Sequence, residues 1–169
     1  MVGFEEDETW LNLQPYITNT YMMRGEQQKI FYKGSNMKIN AFITLIHPSN
    51  KIKFKLSKSR TSDDFIDHLR NIKHHLIIKN KIKRFILVID NASFHISRKT
   101  ERFLEKQSDW LTIIFLPKRS PNLNPVEIKV NRNLKKDICA NHYYQTEKRL
   151  INAVRKYLRR IVVGLNYDT

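Results

Sequence analysis

Asp90 ends the apolar run Phe85-Ile86-Leu87-Val88-Ile89, and Glu127 closes the stretch Leu116-Pro117-Lys118-Arg119-Ser120-Pro121-Asn122-Leu123-Asn124-Pro125-Val126-Glu127. Five consecutive apolar residues read as a fully buried central strand, and in α/β sheets ligands collect outside the carboxyl ends of such strands. Asp90 stands at that end. Glu127 follows a Pro-rich loop at the start of a predicted helix, from which its side chain can turn back toward the sheet edge. Two carboxylates so placed suit metal-dependent phosphoryl chemistry. In-line displacement at a phosphodiester needs an activated nucleophile, a stabilised leaving oxygen and neutralised charge at phosphorus, and two divalent ions about 3.5–4 Å apart supply all three. Mg²⁺ is hard, prefers oxygen ligands and keeps several waters, so a few carboxylates and the substrate phosphate suffice without a Cys or His cluster. Converging carboxylates raise one another's pKa in the absence of metal. Bound metal is therefore expected to raise the melting temperature.

Each residue taken alone has a plainer reading. Glu127 lies three positions after Asn124, with Pro125 between them at a first helical position, which is a helix N-terminal capping pattern. Asp90-Asn91 suits a strand-end turn whose side chains satisfy local backbone groups. Glu5-Glu6-Asp7-Glu8 reads as a solvated acidic run. His95, five residues past Asp90, suits a structural role, or a supporting role behind a ligand, better than that of a ligand itself.

Order, spacing and wording taken together resemble the catalytic core of the DDE transposases, in the mariner-like group that includes many bacterial and archaeal insertion-sequence transposases. That family shows an apolar strand ending in Asp-Asn, a His a few residues on, and a Pro-Ser-Pro-x-Leu-Asn-Pro-x-Glu loop. Asp90-Asn91, His95 and Ser120-Pro121-Asn122-Leu123-Asn124-Pro125-Val126-Glu127 fill those places, with thirty-six residues between Asp90 and Glu127. The resemblance puts a first carboxylate on an opening strand ending in Asp-Glu. It nominates Asp7, with Glu8 as the less favoured neighbour, and Arg24-Gly25 resembles the Arg-Gly that follows. It implies a triad of Asp7, Asp90 and Glu127 holding two Mg²⁺ or Mn²⁺ ions, cleavage at transposon ends by water, and attack of the freed 3′ hydroxyl on target DNA. Dimers or larger assemblies on paired ends are implied as well.

The elements that must position these residues follow from patterning. Residues 2–7 read as a strand, Asn36 to Ile46 as a second with Ile39, Ala41, Ile43 and Leu45 alternating, and Lys51 to Ser57 as a third. Together they suggest an antiparallel meander. Thr61-Ser62-Asp63-Asp64 starts a helix carrying Phe65, Leu69, Ile72 and Leu76 at helical spacing, which crosses over to the Phe85 strand. A helix near Ser97 to Lys106, a strand from Leu111 to Phe115, the Glu127 helix and a helix from about Thr146 to Arg160 complete the chain. This order is that of the ribonuclease H-like fold, an α/β mixed sheet of meander then parallel strands flanked by helices, and the fold that the resemblance implies.

At 169 residues the chain reads as one domain, and 41% hydrophobic content suffices for a core. Thirty-one Lys and Arg against sixteen acidic residues give a formal charge of +15, which points to a polyanionic partner, DNA first. Biased base usage would also enrich Lys, Asn and Ile, so placement matters. Lys118 and Arg119 in the loop, with Lys129, Arg132, Lys135 and Lys136 on the helix it opens, flank the proposed site and are the candidate DNA-binding residues. Such phosphate contacts carry affinity rather than sequence information. Lys51, Lys53 and Lys55 share one face of a strand and can track phosphates or protect an edge. Lys79 to Arg84 enters the buried strand from its far end and reads as a solvated connection. The single Cys139 excludes a disulfide framework and reads as a small buried hydrophobe in a reducing compartment. With no apolar run of the length a membrane span requires, a prokaryotic cytoplasmic, nucleoid-associated location is expected.

Three departures from the family bear on the reading. Complete members place helix-turn-helix domains before the core, so residues 1–169 are expected to be a single catalytic domain whose DNA-end reader is absent or separately encoded. Val130 occupies a slot where a Trp is usual, which leaves that helix's packing open. Lys118-Arg119 replaces a Pro-aromatic pair. Two other functions compete with the transposase: an inactive transposon-derived DNA-binding or assembly module, and another nuclease on the same fold, such as a junction resolvase or ribonuclease H.

Overall fold

The computed structural model describes residues 2–27, 29–79, 83–118 and 120–161. Its order is β1 (Val2–Asn12), β2 (Lys38–Ile46), β3 (Lys51–Ser57), α1 (Ser62–Lys73, continued by wider π-type turns over His74–Lys79), β4 (Phe85–Ile89), α2 (Arg98–Glu105), β5 (Leu111–Phe115), α3 and α4 (Glu147–Arg160). Helix α3 comprises three consecutive pieces, Val126–Asn131, Arg132–Leu134 and Lys135–Cys139, the outer two with π-type turns.

The strands form one sheet in the order β3-β2-β1-β4-β5. β1, β2 and β3 pair antiparallel, whereas β1 with β4 and β4 with β5 pair parallel. The parallel strands are reached by helical crossovers, as parallel pairing requires. This is the mixed, ribonuclease H-like architecture expected from the sequence.

Two apolar clusters cover the two faces. One gathers Leu11, Ile39, Ile43 and Leu45 from the sheet against Val126, Val130 and Leu134 of α3 and Leu150, Val154 and Leu158 of α4. The α3 residues recur every four positions and are fully buried, so Val130 takes the aromatic's slot without opening the packing. The other cluster joins Phe85, Leu87 and Ile89 of β4 to Phe65, Leu69, Ile72 and Leu76 of α1, and to Phe94 and Trp110. Each β4 residue facing that cluster is buried, while Ile86 and Val88 are only half-buried. The run expected to be buried on both sides is thus fully covered on one, because the core on the other face is built over β1 and β2.

α1 starts with a reciprocal capping box. Thr61 accepts from the Asp64 backbone N–H while the Asp64 carboxylate accepts from the Thr61 N–H. In β3, Ile52, Phe54 and Leu56 face the α4 cluster, as alternation predicts. Lys55 on the other face is tied to α1, its Nζ donating to Asp64 O at 3.1 Å. Gly25 takes φ +90° in a turn closed by Glu26 N donating to Met23 O at 3.0 Å, a position at which a type II turn calls for glycine. Cys139 is buried, as expected. The expected connection over 79–84 falls partly outside the described residues. Among the described residues, no helix is long and apolar enough to cross a membrane.

Candidate active site

The parallel register of β1 with β4 runs from Val2 opposite Phe85 to Glu5 opposite Val88. Carried onward at the same offset, it sets Asp7 level with Asp90. β4 stops at Ile89, but β1 runs on to Asn12 along β2, with Glu8 opposite Phe42 and Leu11 opposite Ile39. Asp7 is therefore a mid-strand residue rather than the strand-end one expected. Thr9 and Leu11 continue the buried face, so the strand does not end at the acidic run. The early stop of β4 opens the space. Asp7, Asp90 and Glu127 line one cleft of about 440 Å³ with Asn91, Lys118, Ser120 and Asn124.

Local bonds place each carboxylate. Asp90 Oδ1 accepts from Ala92 N at 2.8 Å, the strand-end turn anticipated above, and lies 2.9 Å from His95 Nδ1. Asn91 Nδ2 donates to Leu116 O at 2.6 Å, holding the end of β4 to the loop that leads toward Glu127. Asn124 is buried; its Nδ2 donates to Glu6 O of β1 at 3.2 Å and its Oδ1 accepts from Val126 N at 3.1 Å. The capping reading of this helix start thus holds through Asn124, which leaves Glu127 turned into the cleft. Asn131, one helical turn beyond Glu127, donates from Nδ2 to Asp7 Oδ2 at 2.7 Å and to Glu127 Oε2 at 3.3 Å. The sequence reading did not single out Asn131. Its i,i+4 relation to Glu127 was the available signal.

Alternation along β1 sends Glu6 and Glu8 to the opposite face from Asp7. Glu8 does not line the cleft; its Oε1 lies 2.8 Å from His95 Nε2, and Glu6 Oε2 lies 3.5 Å from the same nitrogen. Geometry therefore favours Asp7 over its neighbour. Burial opposes charge on His95, but Asp90, Glu6 and Glu8 outweigh it and push the imidazole up to about 12. Burial, followed by the Glu8 charge, raises Glu6 well above the ordinary carboxylate range. Glu6, Glu8 and His95 offer ligand atoms within 4.8 Å of one another, a spacing a metal ion could use. Protonated His95 already supplies the cation there.

The cleft itself is short of positive charge. Burial, then the Glu127 carboxyl and the charges of Glu8 and Asp90, raise Asp7 to about 8. Asp90 shifts the other way, chiefly through its bond to His95, with the Ala92 N–H and Arg60 contributing. Arg60 carried no signal in the sequence. Asn131 Oδ1 is buried without a partner among the described residues. Converging, under-neutralised oxygen donors fit a hard divalent cation such as Mg²⁺ or Mn²⁺ better than a soft one.

Of the expected DNA-contacting residues, Lys118 lines the cleft. Arg132, Lys135 and Lys136 line an adjoining hollow with Trp10 and Tyr16, where Lys135 Nζ sits 5.0 Å from the Trp10 ring centroid. Lys129 lies on α3 between Glu127 and Arg132. Arg119 falls outside the described residues.

The family model described as DDE superfamily endonuclease matches residues 6–151. The insertion element IS630 uncharacterized 39 kDa protein of Shigella sonnei is 28% identical over 158 residues, covering 94% of this chain and 45% of that protein. The chain thus spans about half the length of the curated relative it matches. A Mos1 transposase paired-end complex with left transposon end superposes with a TM-score of 0.74 at 16% identity, over 94% of this chain and 48% of that one. The Mos1 mariner paired-end complex with Mg gives 0.70 at 16% identity, over 92% and 47%. At such identities these two structures speak to fold alone. With a family model spanning most of its length, the chain belongs to the DDE superfamily endonuclease family.

Proposed function

We propose that this domain cleaves DNA strands at transposon ends and transfers the freed ends to target DNA, in a reaction that depends on divalent metal. The observation that carries the reading is the convergence of Asp7, Asp90 and Glu127 on one cleft where Asn131 is the shared donor to two of them. These three carboxylates would hold two Mg²⁺ or Mn²⁺ ions, which lower the pKa of an attacking water and stabilise the leaving oxygen. Asn131 fixes the spacing of Asp7 and Glu127, and His95 fixes the rotamer of Asp90. Lys118 at the rim is placed to meet phosphate, and Arg132, Lys135 and Lys136 extend that positive edge along α3. Water attacks first and releases a 3′ hydroxyl; that hydroxyl then attacks a target phosphodiester, so each step exchanges one P–O bond for another. Paired-end assembly as a dimer or larger complex belongs to the same proposal.

The test is nicking of plasmid DNA in Mg²⁺ or Mn²⁺ by the parent chain and by Asp90→Asn. Metal-dependent cleavage by the parent alone is expected. Equal cleavage by both would remove Asp90 from the site, and no cleavage by either would favour an inactive DNA-binding or assembly module.

A further inference from the structure

A groove of about 860 Å³ runs between α1 and α2, lined by Arg70, Lys73, Arg98, Lys99, Arg102 and Lys106, with Asp63 the one acidic residue among the described residues that line it. We infer that this groove is a second duplex-DNA tracking surface, apart from Lys118 and the α3 cations. The inference rests on the reading of DNA as the partner.

The pairing of these cations divides them into two groups. Lys99 is 2.5 Å from Asp63, and Arg70 is 2.8 Å from Asp67 and sits over the Phe103 ring. Lys73 Nζ donates to Gln107 Oε1 at 2.8 Å and lies over Trp110. Arg98, Arg102 and Lys106 are exposed and have no acidic partner among the described residues. They recur at i, i+4 and i+8, so they stand in one row along α2. Like charges at that spacing oppose the helix, and a polyanion lying along the row removes the opposition. At 1.5 Å per residue the row is about 12 Å long. Phosphates of one B-DNA strand rise about 3.4 Å each along the axis while winding round it, so each of the three cations, about 6 Å apart, can meet one phosphate.

The groove also starts where the chemistry is proposed. Ser97 caps α2 by accepting from Thr100 N at 3.2 Å, and its Oγ lies 2.8 Å from Ser62 Oγ at the start of α1. Both helix starts thus meet at the carboxyl edge of the sheet, just beyond the Asp90 loop. A duplex engaged at the cleft can pass over that edge and continue along α2.

The test measures equilibrium binding of a short duplex to the parent chain across a salt series, beside two triple variants. Arg98→Ala/Arg102→Ala/Lys106→Ala removes the row. Lys148→Ala/Arg155→Ala/Arg159→Ala removes the same charge from exposed positions of α4. Thermal unfolding establishes that both variants fold. The slope of log affinity against log salt should fall by about 2.7 in the α2 variant, at about 0.9 per phosphate contact, and by less than about 1 in the α4 variant. An unchanged slope in the α2 variant, or an equal fall in both, overturns the inference while leaving DNA as the partner. No duplex binding by the parent overturns both.

Discussion

Asn131 joins α3 to β1 through Asp7, its amide nitrogen 2.7 Å from Asp7 Oδ2 and 3.3 Å from Glu127 Oε2 on its own helix. One neutral donor therefore sets the separation of two proposed metal ligands. Asn131→Ala leaves both carboxyl groups without that donor but keeps the apolar face of α3. Groups that orient ligands typically contribute about 10–100-fold in metal affinity or activity. Mn²⁺ titration followed by thermal shift should show a loss in that range, and unchanged affinity would make Asn131 purely structural.

The proton on Asp7 would give the proposed metal binding a pH dependence. Its folded pKa of about 8 stands above the ordinary 3.8. The stability this group contributes is fully present below about pH 4 and is lost as pH rises toward 8. Glu6 and His95, both shifted upward, carry the same sign. Metal competes with the Asp7 proton, so the rise in Tm produced by Mg²⁺ should be larger at pH 8 than at pH 6. Asp7→Asn should abolish that difference; a metal shift independent of pH in the parent would contradict it.

His95 is the buried partner of Glu8, at 2.8 Å, with the Glu6 carboxyl 3.5 Å from the same nitrogen. His95→Ala leaves Glu8 without its partner beside the Glu6 carboxyl inside the α1 face of the sheet, which costs about 3–5 kcal/mol for a broken buried pair. Urea unfolding should show that loss. Adding Glu6→Gln should restore part of it, and a double variant no more stable than His95→Ala would mean that the cost is cavity formation instead.

Thr61 provides a contrasting control. Its hydroxyl accepts from Asp64 N in the capping box of α1, away from the cleft. Thr61→Ala should cost about 1 kcal/mol in urea unfolding. Metal affinity should be unchanged; a change would show that α1 is coupled to the site.

The strands and helices were legible because each carries a local period. β3 alternates, and α1 repeats Phe65, Leu69, Ile72 and Leu76 on one face. The Asp90 and Glu127 segments were legible from their turn and capping chemistry and from resemblance. The length of β1 was not. Glu5-Glu6-Asp7-Glu8 looks solvated, yet Glu6 is fully buried, 3.5 Å from His95, which lies far along the chain. No local pattern announces a partner at that distance. The α1–α2 groove was hidden for the same reason, since its walls come from helices separated by β4.

The pairing of β1 has a mechanical consequence. Asp7 sits within an unbroken ladder to β2, from Phe4 opposite Ile46 to Asn12 opposite Lys38, so its backbone is a fixed jaw. Glu127 rides on a helix fastened to that strand by Asn124 and Asn131. With Val126, Val130 and Leu134 buried against the same two strands, Asp7 and Glu127 are held as the two sides of one rigid unit.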